Sequence, residues 1–375
     1  GILADWGADV IKIEPHAGDP FRGLEWLFPG DSNPPFDLDN RGKRSVAIDL
    51  RTSAGIEAMH LLLEKADVFV SNYRPAGLQR LGLDHETLCR RYPKLVYASV
   101  TGMSLRGDEA NRQAYDIGAF WSRSGIAHAL SSGQDTPPVQ RGGMGDHMTG
   151  LGAVAGISAA LFHREKTGEG QLVETSLMRI GTYMLGWDHN VTAATGEDVV
   201  VRGRDEQPNP LINCYKCSDG RWLWMLGLEG DRHWPQVVEA LGAPEWLDEQ
   251  RFAGIEARME NSAALTAEMD AILLTKQRDE WGQIFDEIGV WWAPVQSSIE
   301  LLTDPQSRAA GCWVEVKTEN EETIEMVASP IDFSVTEWEI ANGAPSLGQD
   351  TELVLNELGV NWERIMEMKQ SGVIP

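Results

Sequence analysis

The sequence predicts an α/β fold, with a parallel sheet in a larger N-terminal domain and a smaller α/β domain behind it. Three observations carry this. Up to Trp187 the chain alternates short apolar runs of strand type with stretches of helical spacing. After Trp187 the order of elements changes. The chain has 375 residues and is 42% hydrophobic, enough for two domains with sizeable cores and too apolar for disorder.

The elements follow in order. Gly7 stops an opening helix, and residues 9–14 (DVIKIE) read as a buried strand. Residues 45–50 (SVAIDL) read as a second strand. Residues 53–66 have helical spacing through Ile56, Met59, Leu62 and Leu63. Residues 67–70 (DVFV) form a strand that runs into the turn-rich Asn72-Tyr73-Arg74-Pro75-Ala76-Gly77. Asp84 caps a short helix ending near Tyr92-Pro93. Residues 95–101 are another strand. A small-residue helix over 148–166 is closed by Gly168 and Gly170, and a strand over 171–177 follows.

These patterns divide the chain into a large domain over 1–187, a polar connector over 188–212 and a small domain over 213–300. A return segment over 301–375 ends in a helix expected to pack on the large domain. The small domain holds a strand at 221–226 and helices over 233–241, 263–274 and 279–288; residues 312–339 read as β structure and 349–371 as helix. The chain opens on Gly1 in a pattern resembling the end of a helix, so part of the N-terminus is expected to be missing.

The formal net charge is −25, which disfavours nucleic acid and anionic membrane as partners. No run is long and apolar enough to span a membrane and no leader pattern is present, which points to the cytoplasm. The four cysteines do not read as a disulfide framework. Cys214-x-x-Cys217 has the spacing of a redox or zinc site, but no further ligands accompany it and no metal is expected.

The most informative stretch is Gly142-Gly143-Met144-Gly145-Asp146-His147. Asp146 is expected to cap the helix behind it, and the helix N-terminus to keep its carboxylate ionised. The glycines leave its approach open. That is a setting for a carboxylate nucleophile; the same residues also make an ordinary cap beside a turn. Basic residues cluster in two places. Arg41, Lys43, Arg44 and Arg51 lie near the second strand, and Arg74 and Arg80 follow the DVFV strand, where ligands of open α/β sheets bind. P-loop, HExxH and GxSxG motifs are absent.

Several stretches resemble the class III CoA-transferases, the group that includes formyl-CoA transferase, carnitine CoA-transferase and alpha-methylacyl-CoA racemase. They are residues 3–14 (LADWGADVIKIE), 40–55 (NRGKRSVAIDLRTSAG), 66–83 (ADVFVSNYRPAGLQRLGL), 96–102 (VYASVTG), 145–177 (GDHMTGLGAVAGISAALFHREKTGEGQLVETSL) and 346–359 (SLGQDTELVLNELG). The resemblance implies a Rossmann-like large domain and an interlocked, ring-shaped homodimer. It implies CoA as a substrate, with no tightly bound cofactor, and a carboxylic acid as acceptor. It assigns Asp146 as the residue that attacks the acyl-CoA thioester. Ile48, Asp49, Leu50, Arg51, Asn72, Tyr73 and Arg80 match positions along CoA, with Arg74 beside them. Tyr115 matches a tyrosine lining the thioester site. Pro15 and Gln113 depart from two basic CoA contacts of formyl-CoA transferase.

In the racemase branch a histidine stands where this chain has Tyr115, and an acidic partner falls near Glu229. A tyrosine with a pKa of about 10 is a poor base at neutral pH. Transfer of CoA is therefore the leading reading. A 2-methylacyl-CoA racemase or epimerase and a non-catalytic CoA-binding homologue are the alternatives. A nicotinamide dehydrogenase with Glu14 on a ribose is a further one. Trp222, Trp224, Trp291 and Trp292 mark an aromatic-rich small domain that could meet the acyl group.

Overall fold

The computed structural model describes residues 1–28, 33–131, 136–200, 202–317 and 322–375. Residue 201 of the 188–212 connector and residues 318–321 of the 312–339 β region lie outside the described residues. The chain forms two compact units. The first comprises Gly1–Ala127, Val139–Thr195 and Ala309–Pro375; the second comprises His128–Pro138 and Gly196–Arg308.

In the first unit, β1 (Val10–Glu14) pairs in parallel with β2 (Lys43–Ala47), Val10 opposite Lys43 and Glu14 opposite Ala47. A separate parallel sheet holds β3 (Val68–Ser71), β4 (Val96–Thr101) and β5 (Leu172–Ser176), with β4 in the middle. Helices separate the strands: Ser53–Leu63 joins β2 to β3 across the two sheets, while His85–Arg91 and Met144–Thr167 supply the crossovers that parallel pairing of β4 with β3 and of β5 with β4 requires. Thr52 and Asp84 cap the first two by accepting from the Gly55 and Thr87 amides. Ser53–Leu63 buries Met59, Leu62 and Leu63 in one core with Val46, Ile48 and the C-terminal Leu355, Ile365 and Met368.

The parallel strands are thus split between two sheets, and β2 ends at Ala47 rather than at residue 50. The reason lies on its second edge. The Ser45 amide donates to Asp350 Oδ2 (2.8 Å), the Ala47 amide to Thr351 Oγ1 (3.0 Å) and the Asp49 amide to the Val373 carbonyl (2.9 Å). The C-terminal segment therefore satisfies the edge that another strand would have taken. Two buried charge clusters fix this region. Arg41 forks onto Asp5 (3.1 and 2.8 Å), and Arg22 forks onto Glu14 (2.8 Å twice). An antiparallel pair, β9 (Trp313–Lys317) with β10 (Thr323–Val327), belongs to the same unit.

The polar stretch after Trp187 begins as a helix, Gly186–Thr195, which buries none of its residues. In the second unit β6 (Cys214–Lys216), β7 (Trp222–Met225) and β8 (Trp292–Val295) form an antiparallel sheet. Strand alternation turns Leu223 and Met225 into the core and leaves Trp224 exposed. Helices Gly230–Leu241, Ser262–Leu273 and Arg278–Ile288 cover the inner face through Trp234, Leu265, Met269, Trp281 and Phe285.

Candidate active site

Asp146 stands at the start of the longest helix, Met144–Thr167. The helix begins four residues earlier than its spacing suggests, and Asp146 is not its cap. Gly143 takes that position with φ of +74°, a left-handed conformation that favours glycine. The capping bond comes from a distant residue: Asp116 Oδ2 accepts from the Gly145 amide at 3.0 Å. The approach is close. A Cβ on Gly145 would stand 2.1 Å from Asp116 Oδ1 and 2.3 Å from Phe120 Cγ. Asp146, released from capping, sits in the first turn and is exposed. Among the described residues no hydrogen bond or ion pair engages its carboxylate.

The electrostatics also differ from the expectation of a carboxylate held low by the helix end. Partial desolvation raises the Asp146 pKa above the ordinary carboxylate value, and the nearby carboxylates of Asp116 and Asp39 raise it further; His147 opposes them. His147 Nε2 lies 3.1 Å from Asp39 Oδ1, and this hydrogen bond raises the histidine's pKa. Sequence reasoning missed both Asp39 and Asp116. Asp116 had a signal, since it follows Tyr115 in Ala114-Tyr115-Asp116-Ile117. Asp39 had none, because it comes from the Pro34–Asn40 helix, far away in sequence.

Most of the expected ligand residues lie just past the carboxyl ends of β2 and β3. Asn72, Tyr73 and Arg74 follow β3 directly, all exposed. Arg80 lies one helix further, also exposed, with its Nε donating to the Ala76 carbonyl (3.1 Å). The Ala76 amide donates to Asn111 Oδ1 (2.9 Å), tying this turn to the loop that leads to Tyr115. That loop returns to the end of β4, where a Cβ on Gly102 would meet the Ala114 Cβ at 2.5 Å. Tyr115 projects into solvent with 85% of its surface exposed, and its neighbour Asp116 reaches the Asp146 helix. After β2, Ile48 is buried in the core, Asp49 and Leu50 are half-buried, and the exposed Arg51 folds back onto Asp49 (2.8 Å). Ile48 can therefore offer a ligand only its backbone.

The basic cluster near β2 is largely consumed internally. Arg41 is paired with Asp5, Arg44 with Asp9 and Glu357, and Arg51 with Asp49. Glu14 is similarly committed. It is only 2% exposed, accepts from Arg22 and Ser45, and cannot turn out to hold a ribose. Burial alone would push its pKa up, but the bonds from Arg22, Ser45 and the Asp19 amide bring it down to about 2. Glu229 belongs to the second unit, where it pairs with Arg232. Cys217 is buried, and burial pushes its thiol up to about 11, unsuited to redox or metal chemistry. Among the described residues no group of three or more potential ligands could hold a metal ion.

Known proteins share both sequence and shape with this chain. CoA-transferase family III matches residues 1–351. A (R)-2-hydroxy-4-methylpentanoate CoA-transferase from Clostridioides difficile is 30% identical over all of this chain and 94% of its own length. A cinnamoyl-CoA:phenyllactate CoA-transferase from Clostridium sporogenes is 32% identical over 98% of this chain and 91% of its own. In three dimensions, the crystal structure of a CAIB/BAIF family protein from Brucella suis superposes with a TM-score of 0.83 and 31% identity, covering 95% of this chain and 93% of that one. With its mixed α/β fold, its strand-end loops and its open aspartate, the chain belongs to CoA-transferase family III and is a CoA-transferase.

Proposed function

We propose that the enzyme moves CoA from an acyl-CoA thioester to a carboxylic acid through covalent intermediates on Asp146. The observation that carries this reading is the Asp146 carboxylate itself: exposed, without a hydrogen bond or ion pair among the described residues, and bordered by Gly142 and Gly143. A carboxylate oxygen attacks the thioester carbonyl, the C–S bond breaks, and CoA thiolate leaves an acyl-aspartyl anhydride. The thiolate attacks the aspartyl carbonyl, releasing the donor's acid and leaving an aspartyl-CoA thioester. The acceptor carboxylate attacks that thioester to give a second anhydride and thiolate. Thiolate attack on the acceptor's acyl carbon then releases the new acyl-CoA and restores Asp146. Each difficult exchange is divided into easier steps.

In this reading Ile48, Asp49, Leu50, Arg51, Asn72, Tyr73, Arg74 and Arg80 line the CoA path and Tyr115 the thioester end, in a Rossmann-like domain whose strand ends face the ligand. The two relatives' names mention 2-hydroxy or aryl-substituted acids, so branched and aryl 2-hydroxy acids are the first acceptors to try. The working form is an interlocked homodimer; the exposed Tyr183 and Trp187 and the Gly186–Thr195 helix without a buried residue support a self-association surface. Four unpaired cysteines favour a cytoplasmic setting. Racemisation is disfavoured because Tyr115 replaces a base and Glu229 is occupied by Arg232.

The test is Asp146→Asn, assayed by mass spectrometry with a panel of CoA donors and acids. Transfer should fall by several orders of magnitude while the fold persists. Hydroxylamine with acyl-CoA should label Asp146 in the wild type only. Near-normal turnover by Asp146→Asn would refute the mechanism, and solvent deuterium entering the α-carbon of 2-methylacyl-CoA without an acceptor would favour racemisation.

A further inference from the structure

Three carboxylates converge at the transfer site from three separate elements. Asp146 comes from the Met144–Thr167 helix, Asp39 from the Pro34–Asn40 helix, and Asp116 from the turn before the Ile117–Ser122 helix. The substrates in the proposed reaction, an acid and a CoA thioester, are also anionic. A cationic side chain stands next to Asp146 among these carboxylates. His147 is adjacent to Asp146, its ring packs over Gly143 with Cε1 3.5 Å from where a Cβ would be, and its Nε2 donates to Asp39 Oδ1 at 3.1 Å. The ring is half-exposed, open both to the site and to solvent. Lys43 and the Gly1 ammonium also interact with Asp39, and Lys43 donates to Asn40 Oδ1 (3.1 Å).

We infer that His147, anchored by Asp39, is a positioning residue whose imidazolium offsets the carboxylates around Asp146. This rests on the reading of Asp146 as nucleophile. Asp39 raises the His147 pKa, so the positive charge persists further toward neutral pH. That charge opposes the rise that desolvation, Asp116 and Asp39 impose on Asp146, so a larger share of the nucleophile is ionised in mildly acidic solution. An exposed ion pair of this kind contributes little to stability, so its effect belongs in the pH profile and not in the melting temperature.

The experiment compares wild type, His147→Gln, His147→Lys and Asp39→Asn as full chains. It measures kcat/KM for CoA transfer against pH, and the His147 titration by NMR. His147→Gln should move the acid limb upward by about half a pH unit, an approximately threefold loss below it. His147→Lys keeps the charge and should restore the wild-type limb. Asp39→Asn should lower the pH at which His147 titrates. A His147→Gln profile that superposes on wild type, a lysine variant no better than glutamine, or an unmoved titration in Asp39→Asn would overturn the inference. Asp146→Asn separates the two levels: if it is inactive while the His147→Gln limb stays put, this inference alone fails, and if it is fully active both fail.

Discussion

Replacing Gly145 by alanine tests how tightly the helix carrying the proposed nucleophile, Asp146, is fastened. The added Cβ would stand 2.1 Å from Asp116 Oδ1 and 2.3 and 2.5 Å from Phe120 Cγ and Cβ. Phe120 is 1% exposed and packs with Ala119, Trp121 and Leu177, so it has nowhere to retreat. Overpacking of this kind costs about 1–3 kcal/mol. If Asp116 moves instead, its bond to the Gly145 amide breaks, at about 1.5–3 kcal/mol for a charge-assisted bond. The two costs are alternatives as much as partners, so a loss of about 2–4 kcal/mol is expected. Activity should fall by about 10²-fold as well, because a shift of roughly 1 Å in the backbone beside Asp146 misplaces the attacking oxygen.

Two neighbours serve as internal controls in thermal unfolding and steady-state transfer assays. A Cβ on Gly142 meets nothing within 4 Å and its φ is ordinary, so Gly142→Ala should stay within about 0.5 kcal/mol of wild type. Gly143→Ala meets only the His147 ring but must adopt φ of +74°, at a cost of about 1–2 kcal/mol. The expected order of damage is Gly145, then Gly143, then Gly142. A Gly145→Ala enzyme that melts and turns over like wild type, or a Gly142→Ala enzyme equally damaged, would refute the packing argument.

Glu14 is ordinarily protonated near 4.5 but titrates at about 2 in the folded chain, so its stabilisation is complete above the ordinary value and disappears as pH falls through about 2. Glu14→Gln should lose about 1.5–3 kcal/mol at neutral pH by weakening the charge-assisted bonds from Arg22, and should flatten the acid end of a stability-against-pH curve. Arg80→Ala should weaken binding of CoA more than of dephospho-CoA in calorimetry, as a charge-assisted phosphate contact requires; equal losses would remove Arg80 from that phosphate. Trp187→Glu introduces charge where 85% of an indole is exposed, and should convert a dimer by light scattering into a smaller species; an unchanged mass would take Trp187 out of the interface.

How far the sequence could be read depended on how local each signal was. Residues 9–14, 67–70 and 95–101 stand within a residue or two of β1, β3 and β4, because a buried strand writes itself as a short apolar run. Asp84 caps its helix as expected, since a cap and its amide lie three residues apart. Asp146 was conspicuous for similar reasons, as a carboxylate among glycines. Long-range packing was partly legible, since the C-terminal helix packs on the core of the first unit as expected, but charge pairing and strand edges were not. The basic residues Arg41, Arg44 and Arg51 stand out near the second strand, but their ion pairs with Asp5, Asp9 and Asp49 could not be read from that clustering. Residues 45–50 looked like one strand, but Asp350, Thr351 and Val373 take its second edge from the opposite end of the sequence. The same cause inverted the expected electrostatics of Asp146. Capping logic counts only the helix that carries the carboxylate, and a helix N-terminus favours the charged form. Partial desolvation raises the Asp146 pKa first, and the carboxylates of Asp116 and Asp39, brought in from distant segments, raise it further. A candidate carboxylate such as Asp146 stands out through its neighbours in sequence, while the charge it carries at a given pH is decided by neighbours in space.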